Sequence, residues 1–256
     1  MRWSWRPLTF ALALAPVACV HAQHAARPGP ERALADATQL IVVTTSGWDS
    51  ITGELHRFVR SDATAAWRSA GSAVPIVVGR TGLAWGVGFD RVGEASEPHK
   101  REGDGRSPAG IFTVRTAFGF APVDSVHGLK LSYMPLTTLT ECVDDTASAH
   151  YNTVLERSSV LNVDWHSSER MRQVGQYRVG AIIDYNATPP VKGRGSCIFF
   201  HIWGGPRAPT VGCTALDARE LQQLLAWLDP RAQPVVVQLP AVVYGRLRAE
   251  WRLPAW

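Results

Sequence analysis

Apolar runs of four to six residues, set off by turn-forming Gly, Pro, Asp or Ser, recur at 40–44, 54–59, 75–78, 110–114, 129–133, 181–185, 198–202 and 235–239. They are rich in Val, Ile and Phe, which suit a pleated surface. The pattern predicts eight short strands and a mainly β fold, a two-layer mixed sandwich-like domain with a few short helices. One helix is well signalled. Asp217 can cap it, Glu220 completes a capping box, and Leu221, Leu224, Leu225 and Leu228 follow at i, i+3, i+4 and i+7. Asp229-Pro230 ends it, because Pro cannot continue the backbone ladder. Residues 145–174 predict short helical turns. No internal repeat or second domain is visible.

The first residues read differently. Arg2 and Arg6 precede an apolar stretch at 8–20, too short for the roughly 20 residues a bilayer span needs but suited to an export signal. Val20-His21-Ala22 offers small residues for cleavage, so 1–22 is read as a signal peptide. Residues 23–38 form an Ala/Pro-rich linker, 39–239 the domain, and 240–256 a tail whose Trp251 and Trp256 are expected to pack on it. A second reading makes Cys19 the acylated residue of a lipoprotein, with Pro16 weakening the match. Either way the protein is expected in the periplasm or cell envelope, with no stable membrane span in the mature chain.

Composition and charge narrow the function. A hydrophobic content of 46% rules out a wholly disordered chain. The formal charge of +4 falls to +2 once Arg2 and Arg6 leave with the signal, and the remaining basic residues are scattered. Nucleic acid is therefore not an expected partner. No pair of His, Cys, Asp or Glu has a recognised ligand spacing, so neither a metal nor another cofactor is expected.

Three cysteines follow the signal: Cys142, Cys197 and Cys213. An odd number in an exported chain flags a free thiol. Cys213 lies in the small-residue loop Thr210-Val211-Gly212-Cys213, just before the capped helix. His201 ends an apolar strand, and Trp203-Gly204-Gly205-Pro206 then forces a turn, so a hairpin-like connection lets the two side chains meet. Chemistry favours such a meeting: a thiol with pKa near 8.5 is mostly protonated at pH 7, and a neighbouring imidazole can take its proton. Gly212 leaves room for backbone N–H groups to approach a developing oxyanion.

These residues resemble the L,D-transpeptidase catalytic domain family. The likeness rests on His201, on Thr210-Val211-Gly212-Cys213, and on Lys100 followed by Ser107-Pro108-Ala109-Gly110-Ile111-Phe112, similar to the family's K … T-P-x-G-x-F segment with Ser for Thr. The resemblance implies a cysteine acyltransferase acting on peptidoglycan stem peptides. Cys213 would be the nucleophile, His201 the general base and acid, and the Gly212 and Cys213 amides the oxyanion donors. It implies a thioester formed with loss of D-alanine, then passed to an amine. The alternatives are an L,D-carboxypeptidase or endopeptidase giving the thioester to water, or an idle envelope-binding module.

The departures are informative. The family usually has Arg two residues after the Cys, where this chain has Ala215. Arg207, Arg101 and Lys100 are the candidate substitutes, and Trp203, Thr210 and Arg207 the candidate substrate contacts. Cys142 and Cys197 are expected to form a disulfide in an oxidising compartment, leaving Cys213 free.

Overall fold

The computed structural model describes Met1 and residues 30–89 and 92–255. The expected export signal after Met1 and residues 23–29 of the linker lie outside the described residues, as does Trp256. The described chain is mainly β, with 33% strand and 16% helix. Its first strands are β1 (Gln39–Thr45), β2 (Thr52–Val59), β3 (Arg68–Ser69), β4 (Val74–Val77), β5 (Leu83–Trp85), β6 (Ser107–Gly119) and β7 (Ser132–Pro135). There follow β8 (Thr140–Val143), β9 (Val154–Glu156), β10 (Ser168–Arg170), β11 (Val179–Ile183), β12 (Phe199–Ile202), β13 (Thr214–Leu216) and β14 (Val235–Pro240). The α-helices are α1 (Pro30–Ala35), α2 (Ala218–Trp227) and α3 (Ala241–Leu247).

The strands run in the order β1-β14-β6-β11-β12-β13-β4-β2, and β2 pairs again with β1. The mixed sheet thus closes on itself, which leaves these strands no free edge. β1 and β14 lie parallel, with Leu40 opposite Val235 and Val42 opposite Val237. Nearly every residue of both is buried, as a continuous rather than alternating apolar run requires. α2 turns Leu221, Leu224 and Leu225 into the core, and Asp217 caps it by accepting from the Arg219 amide at 2.8 Å. In the C-terminal segment, α3 and the buried Trp251 close over the core, with Trp251 5.9 Å from Phe89.

A small antiparallel sheet, β10-β8-β9, packs beside the large one. Its strands β9 and β10 lie within 145–174, where short helical turns are expected; those turns form as single 3₁₀ turns, at Arg157–Ser159 and Met171–Gln173. The run at 129–133 forms a strand only from Ser132, parallel to the second half of β6. Phe118, Leu136, Cys142, Met171, Tyr177, Phe199 and Cys213 fill the seam between the two sheets as a separate apolar cluster. A disulfide from Cys142 on β8 to Cys197, before β12, crosses the same seam.

This bridge closes a segment with a sequence separation of 55. A loop of that length implies about 4 kcal/mol of stabilisation in the chain-entropy model. Reduction is therefore expected to lower the urea midpoint and to raise m, because the unfolded chain loses its cross-link and expands. Thiol titration of the denatured, unreduced chain lacking residues 1–22 should find one thiol.

Candidate active site

The position of Cys213 follows from strand direction. β12 and β13 are parallel, with Phe200 opposite Thr214 and His201 opposite Ala215. Residues 203–213 therefore form a crossover rather than the hairpin-like connection that the sequence suggests. Cys213 enters β13 at the end where Phe199 begins β12, and the Phe199 amide donates to its Sγ at 3.3 Å. The thiol points at the Cys197 carbonyl, 3.4 Å away. Among the described residues Cys213 is the one free cysteine, and it is buried.

His201 lies two residues further along β12, on the same face. Its Nδ1 stands 2.8 Å from the Ile202 carbonyl oxygen. A carbonyl only accepts, so Nδ1 carries the hydrogen and Nε2 is left basic. Parallel strands rise about 3.3 Å per residue, which offsets His201 from Cys213 by roughly 6–7 Å along the sheet. Tyr177 spans this gap. Its ring packs edge-on to His201 with centroids 5.2 Å apart and on Phe199, the strand neighbour of Cys213, at 5.5 Å. The hydroxyl also donates to Glu169, 2.9 Å from each carboxylate oxygen. Gly180, paired with His201, makes room: a Cβ there would lie 2.3 Å from the Phe118 ring, which packs on Tyr177.

Burial governs the electrostatics. It pushes the Cys213 thiol up to about 12, with the Glu169 charge adding in the same direction. Burial also lowers His201. Both shifts favour neutral partners, so the resting site holds a thiol and an imidazole rather than an ion pair. Glu169 is raised to about 7 by burial, opposed by its bond from Tyr177 and helped by the Asp144 charge.

The loop bearing Cys213 is held by its backbone. The Cys213 carbonyl accepts from Thr210 Oγ1 at 2.6 Å and from Ser107 Oγ at 2.8 Å. Ser107 Oγ in turn accepts from the Gly79 amide at 2.9 Å. Next door, Thr214 Oγ1 bonds Gln238 Oε1 at 2.6 Å, and Gln238 Nε2 donates to the Pro108 carbonyl at 2.8 Å. The upstream segment thus clamps the loop through Ser107 and Pro108. Thr210 belongs to this clamp: its hydroxyl is spent on the loop and also accepts the Gly212 amide at 3.1 Å. Of the two expected oxyanion donors, Gly212 is already engaged, which leaves the Cys213 amide.

Cys213 and Gly212 line a cavity of about 400 Å³ together with Arg80, Lys100, Asp144, Glu169 and Tyr177. Lys100 is buried and bonded to Asp104 at 2.6 Å. Arg80 reaches the cavity from a turn in which Gly79 and Gly82 pair; Gly82 has φ +86°, and a Cβ there would meet the Trp48 carbonyl oxygen at 1.9 Å. Among the described residues no carboxylate lies within ion-pair distance of Arg80. Trp203 and Arg207 do not line the cavity; Arg207 is exposed on the crossover. The sequence motifs do not reach Tyr177, Glu169 or Arg80. They lie in a 3₁₀ turn, a three-residue strand and a tight turn, where no period marks them. Among the described residues no group of three or more His, Cys, Asp or Glu is arranged to hold a metal.

A family model for the L,D-transpeptidase catalytic domain (YkuD) matches residues 58–237. No curated protein and no solved structure matches the chain.

The clamp makes a quantitative prediction. Ser107→Ala strips the buried Gly79 amide of its acceptor, a loss of about 1–3 kcal/mol for an unsatisfied buried group. Urea unfolding should show that loss, whereas Arg207→Ala should leave stability within about 0.5 kcal/mol of wild type, as is usual for an exposed side chain.

Proposed function

The chain belongs to the L,D-transpeptidase catalytic domain family, and we propose that it is an exported cysteine acyltransferase that remodels peptidoglycan, with Cys213 as its nucleophile. The observation that carries this reading is a free thiol, bonded by the Phe199 amide, on the wall of a polar cavity, with an oriented imidazole two residues further along β12. The Cys213 sulfur attacks the L-centre carbonyl of a stem peptide. We assign the uptake of its proton to His201 Nε2, which requires thiol and imidazole to draw together past Tyr177 once substrate is bound, and delivery of that proton to the departing D-alanine nitrogen leaves a thioester. An acceptor amine then attacks the thioester, its surplus proton passes to His201, and the C–S bond breaks as Cys213 leaves and takes that proton. The oxyanion formed in each half-reaction takes the Cys213 amide as donor.

Because burial favours the neutral thiol and imidazole, proton transfer accompanies attack rather than preceding it. The apolar seam that imposes this cost also keeps water from the sulfur. Residues 1–22 support export to the periplasm or envelope, and peptidoglycan stem peptides are the partner that this location and family offer.

Arg80 supplies what Ala215 lacks. Ala215 is buried in β13, so no side chain from that position reaches the cavity. Lys100 already pairs with Asp104, whereas Arg80 lines the cavity with no acid partner among the described residues. We assign Arg80 to the carboxylate of the substrate. A charge-assisted hydrogen bond is worth about 1.5–3 kcal/mol, so Arg80→Ala should raise KM about tenfold or more with a smaller change in kcat. Arg207→Ala should change neither.

Incubating the chain lacking residues 1–22 with disaccharide-tetrapeptide tests the reading. Mass analysis is expected to show a cross-linked dimer, absent with Cys213→Ala. Tripeptide monomer alone would replace transfer by hydrolysis, and unchanged substrate would leave an idle binding module.

A further inference from the structure

The segment that leads into β12 grips the reactive sulfur from two sides. The Cys213 thiol donates to the Cys197 carbonyl at 3.4 Å, and the Phe199 amide donates back to the sulfur at 3.3 Å. Ile198, between them, lines the cavity, and so does Ser196, whose hydroxyl donates to Glu102 at 2.8 Å. The placement of Cys197 therefore sets the direction of the thiol hydrogen and the cavity wall on either side of it.

Cys197 does this in a conformation that its residue type avoids. Its φ is +56°, in the left-handed region, where a Cβ crowds the following carbonyl and glycine or asparagine is the usual occupant. Two contacts hold it there, both from the small sheet. Its sulfur is bonded to Cys142 on β8, and its amide donates to Asn152 Oδ1 at 2.9 Å. Asn152 lies in the turn from β8 to β9, where its own amide donates to the Val143 carbonyl at 2.7 Å. Its side-chain nitrogen donates to the carbonyls of Tyr185 and Asn186, at 2.9 and 2.8 Å, so this anchor is itself fixed. The side chain that makes the conformation costly is thus the one that carries the restraint.

We propose that Cys197 is a positioning residue for the nucleophile: the bridge to Cys142 imposes the left-handed backbone at 197, that backbone aims the carbonyl at the Cys213 thiol, and the active site is assembled only in the oxidised chain. Reduction by a dithiol breaks the sulfur–sulfur bond and adds one hydrogen to each cysteine sulfur, while the dithiol closes to its own disulfide. Cys197 then returns to negative φ, which swings its carbonyl off the thiol and draws Ser196 away from Glu102. The site stays unassembled until the chain meets an oxidising compartment. The proposal rests on Cys213 being the nucleophile, but its test reads the thiol alone and uses no stem peptide, so the two can fail separately.

The test compares two double variants without the bridge, Cys142→Ala/Cys197→Ala and Cys142→Ala/Cys197→Gly, in the chain lacking residues 1–22. Both lose the cross-link and both keep Cys213 as the single thiol, so intact mass follows its alkylation by iodoacetamide directly. They differ in whether residue 197 takes a positive φ without strain. At neutral pH the Ala variant should react about tenfold faster than the oxidised wild type, because the thiol has left its seat in the seam. The Gly variant should stay within about threefold of wild type, since glycine keeps the left-handed backbone without the bridge. Urea unfolding of both variants establishes that folded chains are compared. Equal rates in the two would overturn the proposal, because the bridge would then act through stability alone. If the Ala variant does not fold, the Gly variant decides: a rate about tenfold or more above wild type would show that a left-handed residue 197 does not seat the thiol, and would refute the proposal.

Discussion

The parallel pairing of β12 with β13 determines where each reactive group can stand. With Phe200 opposite Thr214 and His201 opposite Ala215, the thiol must meet the Phe199 amide, and the imidazole must lie further along the same face. The gap this creates admits one aromatic ring, and Tyr177 fills it. The clamp from Ser107 and Thr210 holds the Cys213 carbonyl, so the loop cannot slide along the strand to close the gap. An antiparallel hairpin would have brought base and thiol side by side and left Tyr177 no place.

Burial then sets the chemistry. The seam between the sheets removes Cys213 and His201 from water, which disfavours charge on both. The disulfide ties the small sheet to the loop of Cys197, whose carbonyl meets the thiol, and the pairing of β10 with β8 places Glu169 directly across from Cys142. Fold stability and the surroundings of the Cys213 thiol therefore share one structural element. A carboxyl that burial holds near neutrality can stand close to a thiol that must become anionic; a fully ionised one would raise the barrier permanently.

Much of this architecture is legible in the residues themselves. The buried strands β1, β12 and β14 announce themselves as apolar runs, and α2 carries its cap, its leucine period and its stop in the sequence. The family resemblance of the His201 and Cys213 motifs is matched by the family model. What is not legible is strand direction, because an apolar run has no sign: 198–202 followed by a glycine-proline turn reads equally as a hairpin or a crossover. The three-residue strands β9, β10 and β13 are too short for any period to emerge. Tyr177, Glu169 and Arg80 are brought to the cavity by long-range pairing, and no local pattern records that. Thr210 shows the converse, since its place in a motif suggests substrate while its hydrogen bonds assign it to the loop.

The central claim is that Cys213 forms a covalent acyl intermediate. The most direct measurement is rapid acid quenching of the chain lacking residues 1–22 during reaction with disaccharide-tetrapeptide, then peptide-level mass spectrometry. The account predicts an adduct of the disaccharide-tripeptide acyl group on the peptide containing Cys213, labile to hydroxylamine as a thioester should be and absent from Cys213→Ala. Turnover without such an adduct in Cys213→Ala, or an acyl group on another residue of the wild-type chain, would contradict it.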